Sequence, residues 1–334
     1  MRARAYAFYA DNTDGGVKMG KFILKRVGIS LIVILLISVF SFSLVHMLPG
    51  DPAVLALGSE VTEAEIQAFR EQYHLNEPVL KQYLIWAGDM LRGNFGRSIT
   101  YRLPVSTCLA TRLPATVAIG LPALIISSIV GILFGIISAV NRGKFIDKLL
   151  TFIETLGIGM PTFWLGMIGI LVLGLRFNIL PLAGYTPPTE NFRQYVIKAI
   201  MPVTVLSFTL LASVARQMRS NMLEVINQDF IRTARANGLP QRSVIYKHAL
   251  KNSLIPVITT IGMQVRVVVG GSLIVEQLFN IPGIGTLLVS AVNTRDYMVM
   301  QGCVFFISLF TVACNFVVDI LYGFFDPRIR KSWR

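Results

Sequence analysis

Ionisable side chains inside long apolar stretches are the first candidates for chemistry in this sequence. Arg266 lies near the middle of one such stretch, and Gln264 and Glu276 lie on the same segment. A charge in a membrane interior is costly, so it lines a water-filled cavity or pairs with an opposite charge. We expect these three residues to line a translocation path, where Arg266 would bind a substrate carboxylate. The alternative is a structural ion pair of the arginine with Glu276, Glu154 or Asp319.

Metal, disulfide and protease chemistry have little support in the residue spacing. Cys108, Cys303 and Cys314 form no C-x-x-C pair, and the three histidines are scattered along the chain. That pattern predicts neither a disulfide framework nor a zinc site. An intramembrane protease needs two helical aspartates or a serine beside a histidine. Asp319 is the only aspartate in an apolar stretch, and His46 has no evident serine partner.

The composition indicates that lipid surrounds much of this chain. Hydrophobic residues make up 54% of the 334 residues and charged residues only 15%, whereas soluble domains are usually about 25% charged. A membrane-crossing helix needs about 20 apolar residues. The sequence predicts six crossings, at 24–48, 115–140, 150–175, 199–216, 255–279 and 298–323. The first follows a polar leader, residues 1–23, and is too long for a cleaved signal peptide.

The basic residues give the orientation. Lys and Arg concentrate in residues 1–23, 141–149, 217–254 and 324–334, which we therefore place in the cytoplasm together with both termini. The net charge of +13 is then a topology signal, and we expect no nucleic-acid partner. The segment 49–114 lies on the opposite side.

Two short helices are expected outside the apolar stretches. The sequence TEAE at 62–65, followed by Ile66, predicts a capped amphipathic helix. Residues 282–289 predict a second short helix at the outer face, which would be either a gate over the path or a lipid-anchored loop. Within the third predicted crossing, Gly157, Gly159 and Pro161 loosen or break the helix, either for flexure or for close packing.

The cytoplasmic segment 217–254 contains a predicted docking element. Asp229 is expected to cap a helix over 230–237, and Gly238 suits a turn of positive φ. A second helix over 243–250 leads into the fifth crossing. The residues expected to carry docking are Asp229, Phe230, Arg232, Thr233, Ala234, Arg235 and Gly238. Phe230, Ile231 and Ala234 would form an apolar side. From the residues alone, this helix would either enter a groove on a soluble partner or rest on lipid headgroups.

This segment resembles the E-A-A-x-x-x-G coupling motif of bacterial ATP-binding-cassette (ABC) importer permeases. Aligned on Gly238, the first three motif positions fall on Arg232, Thr233 and Ala234, so only the alanine and the glycine match. Arg232 departs from the general motif but is similar to the peptide-importer branch, as is HALKNSLIP at 248–256. Further resembling strings are LPGDP (48–52), GNFGRS (93–98), RLPAT (112–116), PTFW (161–164), LPLAGY (180–185), FNIPGIG (279–285) and FDPR (325–328).

The resemblance is to the first permease of dipeptide, oligopeptide and nickel importers. It implies an all-α, six-helix type I importer permease with a core formed by crossings two to six, residues 115–334. It also implies a homologous second permease, two ATP-binding subunits, an extracytoplasmic solute-binding protein and a bacterial inner membrane.

The chain itself has no G-x-x-x-x-G-K-[ST] loop, so ATP and Mg²⁺ are expected on the partner subunits, with no cofactor, metal or catalytic residue here. The expected cargo is di- or oligopeptides. A nickel, metal-chelate or other small conjugated solute is the alternative within the family, and a stand-alone channel or receptor is the alternative outside it.

Overall fold

A computed structural model of the chain describes residues 23–43, 53–54 and 61–325. Within these ranges the regular structure is helical, without β-strands apart from one isolated bridge between Arg97 and Pro104. The all-α prediction is confirmed. Most of the predicted leader 1–23, the string at 48–52 and all but the first residue of the string at 325–328 lie outside the described residues.

The described ranges contain eleven named helices. They are α1 (Ile23–Ser43), α2 (Glu63–Gln72), α3 (Val79–Leu91), α4 (Val105–Val140), α5 (Phe145–Gly159), α6 (Thr162–Arg176), α7 (Phe192–Ile226), α8 (Asp229–Ala236), α9 (Gln241–Leu278), α10 (Ile284–Asn293) and α11 (Tyr297–Phe325). Helices α1, α4, α7, α9 and α11 are long and apolar enough to cross a membrane. The pair α5 and α6 supplies a sixth crossing if it is counted as one.

The third predicted crossing, 150–175, is broken where Gly157, Gly159 and Pro161 were expected to loosen or break the helix. Helices α5 and α6 meet at an angle of 108°. Pro161 has no N–H and excludes the helical conformation from the residue before it. Accordingly, Met160 has an extended backbone (φ −90°, ψ 130°) at the bend.

Three crossings are much longer than their apolar sequence predicted. Helix α4 begins at Val105 rather than 115, α9 begins at Gln241 rather than 255, and α7 runs beyond both ends of 199–216. The segment 217–254, predicted as a loop, is helical at both ends. Its first part continues α7, and its last part is the beginning of α9. Hydropathy measures only the part of a helix that lipid covers, whereas the helix continues wherever the backbone allows it.

Small residues bring the long helices into close contact. A Cβ added at Gly131 would lie 2.8 Å from Val214 Cβ, and one at Gly135 would lie 2.5 Å from Met218 Cβ. On α5, a Cβ at Gly157 would lie 2.7 Å from that of Ala212. Helix α7 thus packs directly against α4 and α5, as small residues permit in membrane helices.

A buried ion pair joins the same three helices near the turn between α4 and α5. Arg219 on α7 donates from Nε to Asp147 Oδ1 (2.8 Å) and from Nη2 to Oδ2 (3.0 Å). Ser138 Oγ and the N–H of Gly143 also donate to this carboxylate. A bidentate, fully hydrogen-bonded pair of this kind fixes geometry as well as charge.

The segment between α1 and α4 packs on the rest of the protein. The capping box predicted at 62–65 is confirmed: Thr62 Oγ1 accepts from the N–H of Glu65, whose carboxylate accepts from the N–H and the hydroxyl of Thr62. These two donated bonds hold the pKa of the Glu65 carboxyl below its usual value. At the other end of α1, Arg26 Nη1 lies 2.7 Å from Asp319 Oδ2 on α11.

Candidate functional site: the α8 segment and helix α9

Helix α8 is a separate short helix between the long helices α7 and α9. Only two residues separate it from the end of α7, so its position is tied closely to that of α7. The predicted cap is corrected: Gln228 is the N-cap residue, without a side-chain cap bond, and Asp229 is the first helical residue. The carboxylate of Asp229 lies 3.6 Å from Arg232 Nη1 instead. An acid in the first turn still interacts favourably with the helix dipole.

Two residues anchor α8 to the core. The side chains of Ile231 and Ala234 are buried, and they belong to the same hydrophobic cluster as Val225 of α7 and Val244 of α9. The apolar side predicted for docking is therefore only partly correct: Phe230 is 41% exposed, whereas Ile231 and Ala234 are buried against the chain's own helices. The buried isoleucine therefore attaches α8 to both long helices.

The opposite side of α8 is exposed and basic. Arg232, Thr233 and Arg235 all face solvent, with Phe230 beside them. An exposed aromatic ring flanked by arginines is the composition that protein interfaces favour. This face has the chemistry to bind an acidic groove on another subunit.

Gly238 forms the turn that the sequence predicted. Its φ is +75°, and a Cβ at this position would meet no atom within 4 Å. The N–H groups of Gly238 and Leu239 donate to the carbonyls of Arg235 and Ala234, which closes the C-terminus of α8. After Pro240 the chain enters α9 directly, and the second helix expected over 243–250 is the beginning of α9, part of it π-helical.

The structure does not bring the three predicted path residues together. Arg266 is exposed on α9 and makes no hydrogen bond or ion pair with the described residues. The alternative of a structural ion pair is not formed there either, because Asp319 pairs with Arg26 and Glu276 bonds elsewhere. A free guanidinium on an apolar helix is available to bind an anion from outside the chain.

Gln264 is buried where α9 crosses α7. Its Nε2 donates to the carbonyl of Leu210 (2.8 Å), whereas its Oε1 has no hydrogen-bond partner. The same condition holds for Glu154 Oε1 on α5, whose side chain is 1% exposed. From the sequence, Glu154 was expected only as a possible ion-pair partner of Arg266.

Glu276 holds the start of α10 against α4. Thr116 Oγ1 donates to Glu276 Oε1 (2.7 Å), and the N–H of Thr286 donates to Oε2 (3.1 Å). Thr116 Oγ1 in turn accepts from the N–H of Ile284 (2.9 Å). The carboxylate thus occupies the N-terminus of α10, where free N–H groups and the helix dipole favour an anion. Thr116 was missed from the sequence because no spacing pattern relates residues 160 positions apart, and Thr286 was missed because its bond depends on how the chain turns between α9 and α10.

Two glycines make room for this carboxylate. A Cβ at Gly283 would overlap the carboxyl group of Glu276, and one at Gly285 would lie 2.6 Å from Leu273 Cα. The predicted short helix at 282–289 is therefore confirmed as α10, and its buried residues Ile284, Leu287 and Ala291 pack against α4 and α11.

Two family models match the chain. One is described as "Binding-protein-dependent transport system inner membrane component" and matches residues 131–331. The other describes the N-terminal part of the membrane component of binding-protein-dependent transport systems and matches residues 19–120. Together they cover most of the chain and almost all of the described helices.

Named relatives align with the chain over nearly its whole length. The probable peptide ABC transporter permease y4tP of Sinorhizobium fredii is 38% identical, over 93% of this chain and 100% of its own. The oligopeptide transport system permease AppB of Bacillus subtilis is 38% identical, over 93% and 99%. The dipeptide transport system permease DppB of Escherichia coli is 36% identical, over 94% and 100%.

Proposed function

Because the chain belongs to the family of binding-protein-dependent transport system inner membrane components, we propose that it is the membrane permease subunit of an ATP-driven importer of short peptides. The observation that carries the proposal is that relatives named as peptide, oligopeptide and dipeptide permeases align with at least 93% of this chain. In this role the chain forms half of a translocation path and catalyses no reaction itself. A homologous second permease forms the other half.

The α8 segment is the proposed coupling element. Asp229, Phe230, Arg232, Thr233, Ala234, Arg235 and Gly238 are assigned to it. Its outer face, with Phe230 and the two arginines, docks into a cleft of an ATP-binding subunit, while Ile231 and Ala234 hold it to α7 and α9. ATP and Mg²⁺ bind to two such partner subunits, and their closure moves α8 together with the long helices. A rigid connection of two residues between α7 and α8 supports this assignment.

Arg266 is the proposed contact for cargo in the path. Peptides carry a terminal carboxylate, and an exposed arginine without a partner on an apolar helix supplies the matching charge. Gln264 and Glu276 were predicted for the same path; their burial inside the helix packing favours a supporting role behind it.

The expected assembly follows from these assignments. An extracytoplasmic solute-binding protein delivers the peptide, and lipid of a bacterial inner membrane surrounds the crossings. The basic residues place both termini and α8 in the cytoplasm. A nickel, metal-chelate or conjugated solute remains the alternative cargo.

The first test is to identify what accompanies the tagged chain. Purification in mild detergent should recover one related permease and two ATP-binding subunits in fixed stoichiometry. Recovery of the chain alone under several gentle conditions, with α8 intact, would favour a stand-alone channel or receptor and overturn the proposal.

The cargo and the coupling role are tested in reconstituted vesicles. ATP-dependent uptake of a labelled dipeptide, without uptake of labelled nickel, is expected, and the opposite pattern would identify the alternative cargo. The double variant Arg232→Glu with Arg235→Glu should lower stimulated ATP hydrolysis and uptake together. Arg242→Glu is the matched control, since it reverses an exposed charge on the neighbouring turn outside α8.

A further inference from the structure

A cavity of about 390 Å³ lies outside the crossings, in the segment between α1 and α4. It is bounded by the end of α1, the turn after α2, helix α3, residues 94–97 and the beginning of α11. Binding pockets for small molecules are typically ~300–1,000 Å³, so this cavity has the volume for a molecule of dipeptide size. None of the roles proposed above uses it.

Opposite charges face the cavity without neutralising each other. Asp89 and Arg97 both line it, and no ion pair joins them. The carboxylate of Asp89 makes no hydrogen bond with the described residues. Arg97 uses one N–H of Nη2 for the carbonyl of Arg102 (3.0 Å), which leaves further donors of the guanidinium free. Tyr73 and His74 are the two other titratable residues that line the cavity.

A buried amide at the floor of the cavity also has no partner. Gln301 on α11 lines the cavity and is only 4% exposed. Its backbone carbonyl accepts from Ser41 Oγ (3.1 Å), but its side-chain amide makes no hydrogen bond with the described residues. Gln301 is not among the described residues with fully buried polar atoms that lack a partner, so its amide is accessible from the cavity and can bond to a polar ligand there.

Aromatic rings form the apolar wall. Phe42 and Trp86 have ring centroids 5.7 Å apart, and both Trp86 and Phe95 contact Phe305 behind them. These contacts join α1, α3 and α11 into a fixed surface. The cavity therefore combines an anion, a cation, an amide and a flat apolar wall.

We propose that this cavity binds the zwitterionic backbone of a short peptide. Asp89 receives the terminal ammonium group, Arg97 receives the terminal carboxylate, Gln301 bonds to the peptide amide, and an apolar side chain packs on the Trp86 wall. The inference rests on the proposed function, because a peptide site on this segment has a use in a peptide importer. It adds a second cargo contact, on the side of the membrane where the charge distribution places segment 49–114, before the path that contains Arg266.

The test measures equilibrium binding of labelled leucyl-leucine to the complete permease–ATPase complex in lipid nanodiscs. Nucleotide and binding protein are omitted, so the result does not depend on transport. A charged hydrogen bond contributes about 1.5–3 kcal/mol, which corresponds to roughly 10- to 100-fold in affinity. Asp89→Asn and Arg97→Gln should each weaken binding by about that factor, as should N-acetylation or C-terminal amidation of the peptide.

Matched controls are available in the same segment. Glu71→Gln and Arg92→Gln remove exposed charges that do not line the cavity, and both should bind leucyl-leucine like the unaltered chain. Equal binding of the free and the blocked peptides, or equal affinity in Asp89→Asn and Glu71→Gln, would overturn the inference. If the unaltered complex took up the dipeptide but did not bind it in this assay, the cavity site alone would be rejected. If it bound the dipeptide but showed no ATP-dependent uptake, the proposed function would be rejected.

Discussion

The two ends of helix α9 hold their neighbouring short helices in opposite ways. At the C-terminal end, the buried carboxylate of Glu276 bonds to Thr116 of α4 and to the start of α10. At the N-terminal end, α8 is held by the apolar side chains of Ile231 and Ala234, and its polar groups face outward. One end is fixed by specific charged hydrogen bonds, and the other by non-directional contacts.

This difference separates a static part of the molecule from one suited to movement. Hydrogen bonds to a buried carboxylate weaken steeply when their geometry changes, so we expect α4, α9 and α10 to move as a unit. Apolar contacts tolerate sliding, so α8 can follow a docked partner while it remains attached to α7 and α9. The variants below test this contrast, from the largest expected change in stability to the smallest.

Glu276→Ala should be the most damaging change. It leaves the Thr116 hydroxyl and the N–H of Thr286 buried without an acceptor, which we expect to lower the free energy of unfolding by about 4 kcal/mol. Thermal unfolding of the purified chain in detergent measures it. Glu190→Ala, which removes an exposed carboxylate, is the control and should unfold like the unaltered chain.

A glycine variant checks the same site independently. Gly283→Ala places a Cβ where the Glu276 carboxyl group lies, so it should destabilise the chain as well. If both variants unfolded at the unaltered temperature, the proposed fixed end of α9 would be wrong.

Ile231→Ala should release α8 while the rest of the fold persists. Truncating a fully buried isoleucine costs about 3 kcal/mol, and here the loss falls on a helix of eight residues. Hydrogen exchange of residues 229–238 should therefore accelerate, with α4 and α10 unchanged. Phe230→Ala is the matched control, because its ring is 41% exposed; equal exchange in the two variants would contradict the anchoring role of Ile231.

Gly238→Ala should have a smaller effect, limited to backbone strain. The site has room for a Cβ, but a φ of +75° costs an L-residue roughly 1 kcal/mol. Gly238→Asn should cost less, since asparagine tolerates the left-handed region. Thermal unfolding distinguishes the two, and a larger loss in the asparagine variant would show that the turn is held by something other than backbone conformation.

Arg266→Met should leave stability within about 0.5 kcal/mol, because the side chain is exposed and unpaired among the described residues. Dipeptide uptake by the reconstituted complex should nevertheless fall several-fold, and Arg266→Lys should restore part of it. Arg176→Met, an exposed arginine at the end of α6, is the control. Full uptake by a normally folded Arg266→Met protein would remove Arg266 from the path.

Much of the fold could be predicted because apolar length is a strong signal. The six apolar stretches all correspond to helices, and Pro161 was identified as a possible break. The 108° bend there could not be derived, since a proline fixes only its local backbone. The extensions of α4 and α7 beyond the apolar stretches depend on residues such as Pro104 and Asn191 at the helix starts, which hydropathy ignores.

The candidate site was predictable where local backbone rules apply. Gly238 was assigned positive φ from its position after a short helix, and the structure confirms it. The burial of Ile231 and Ala234 was missed, because the side of an eight-residue helix that is buried depends on which other helices pack against it. The bonds of Glu276 were missed for the same reason: they depend on contacts between distant parts of the chain.

The bend between α5 and α6 has a consequence for how the protein is made. At ~1.5 Å per residue, the 15 residues of α5 extend about 22 Å, which is short of the ~30 Å of hydrocarbon. Neither half can enter lipid as a complete crossing, so the pair must leave the translocation machinery together. Asp147, near the start of α5, then waits for Arg219, which is synthesised 72 residues later. The packing of α5 in this region is therefore complete only when α7 has been made.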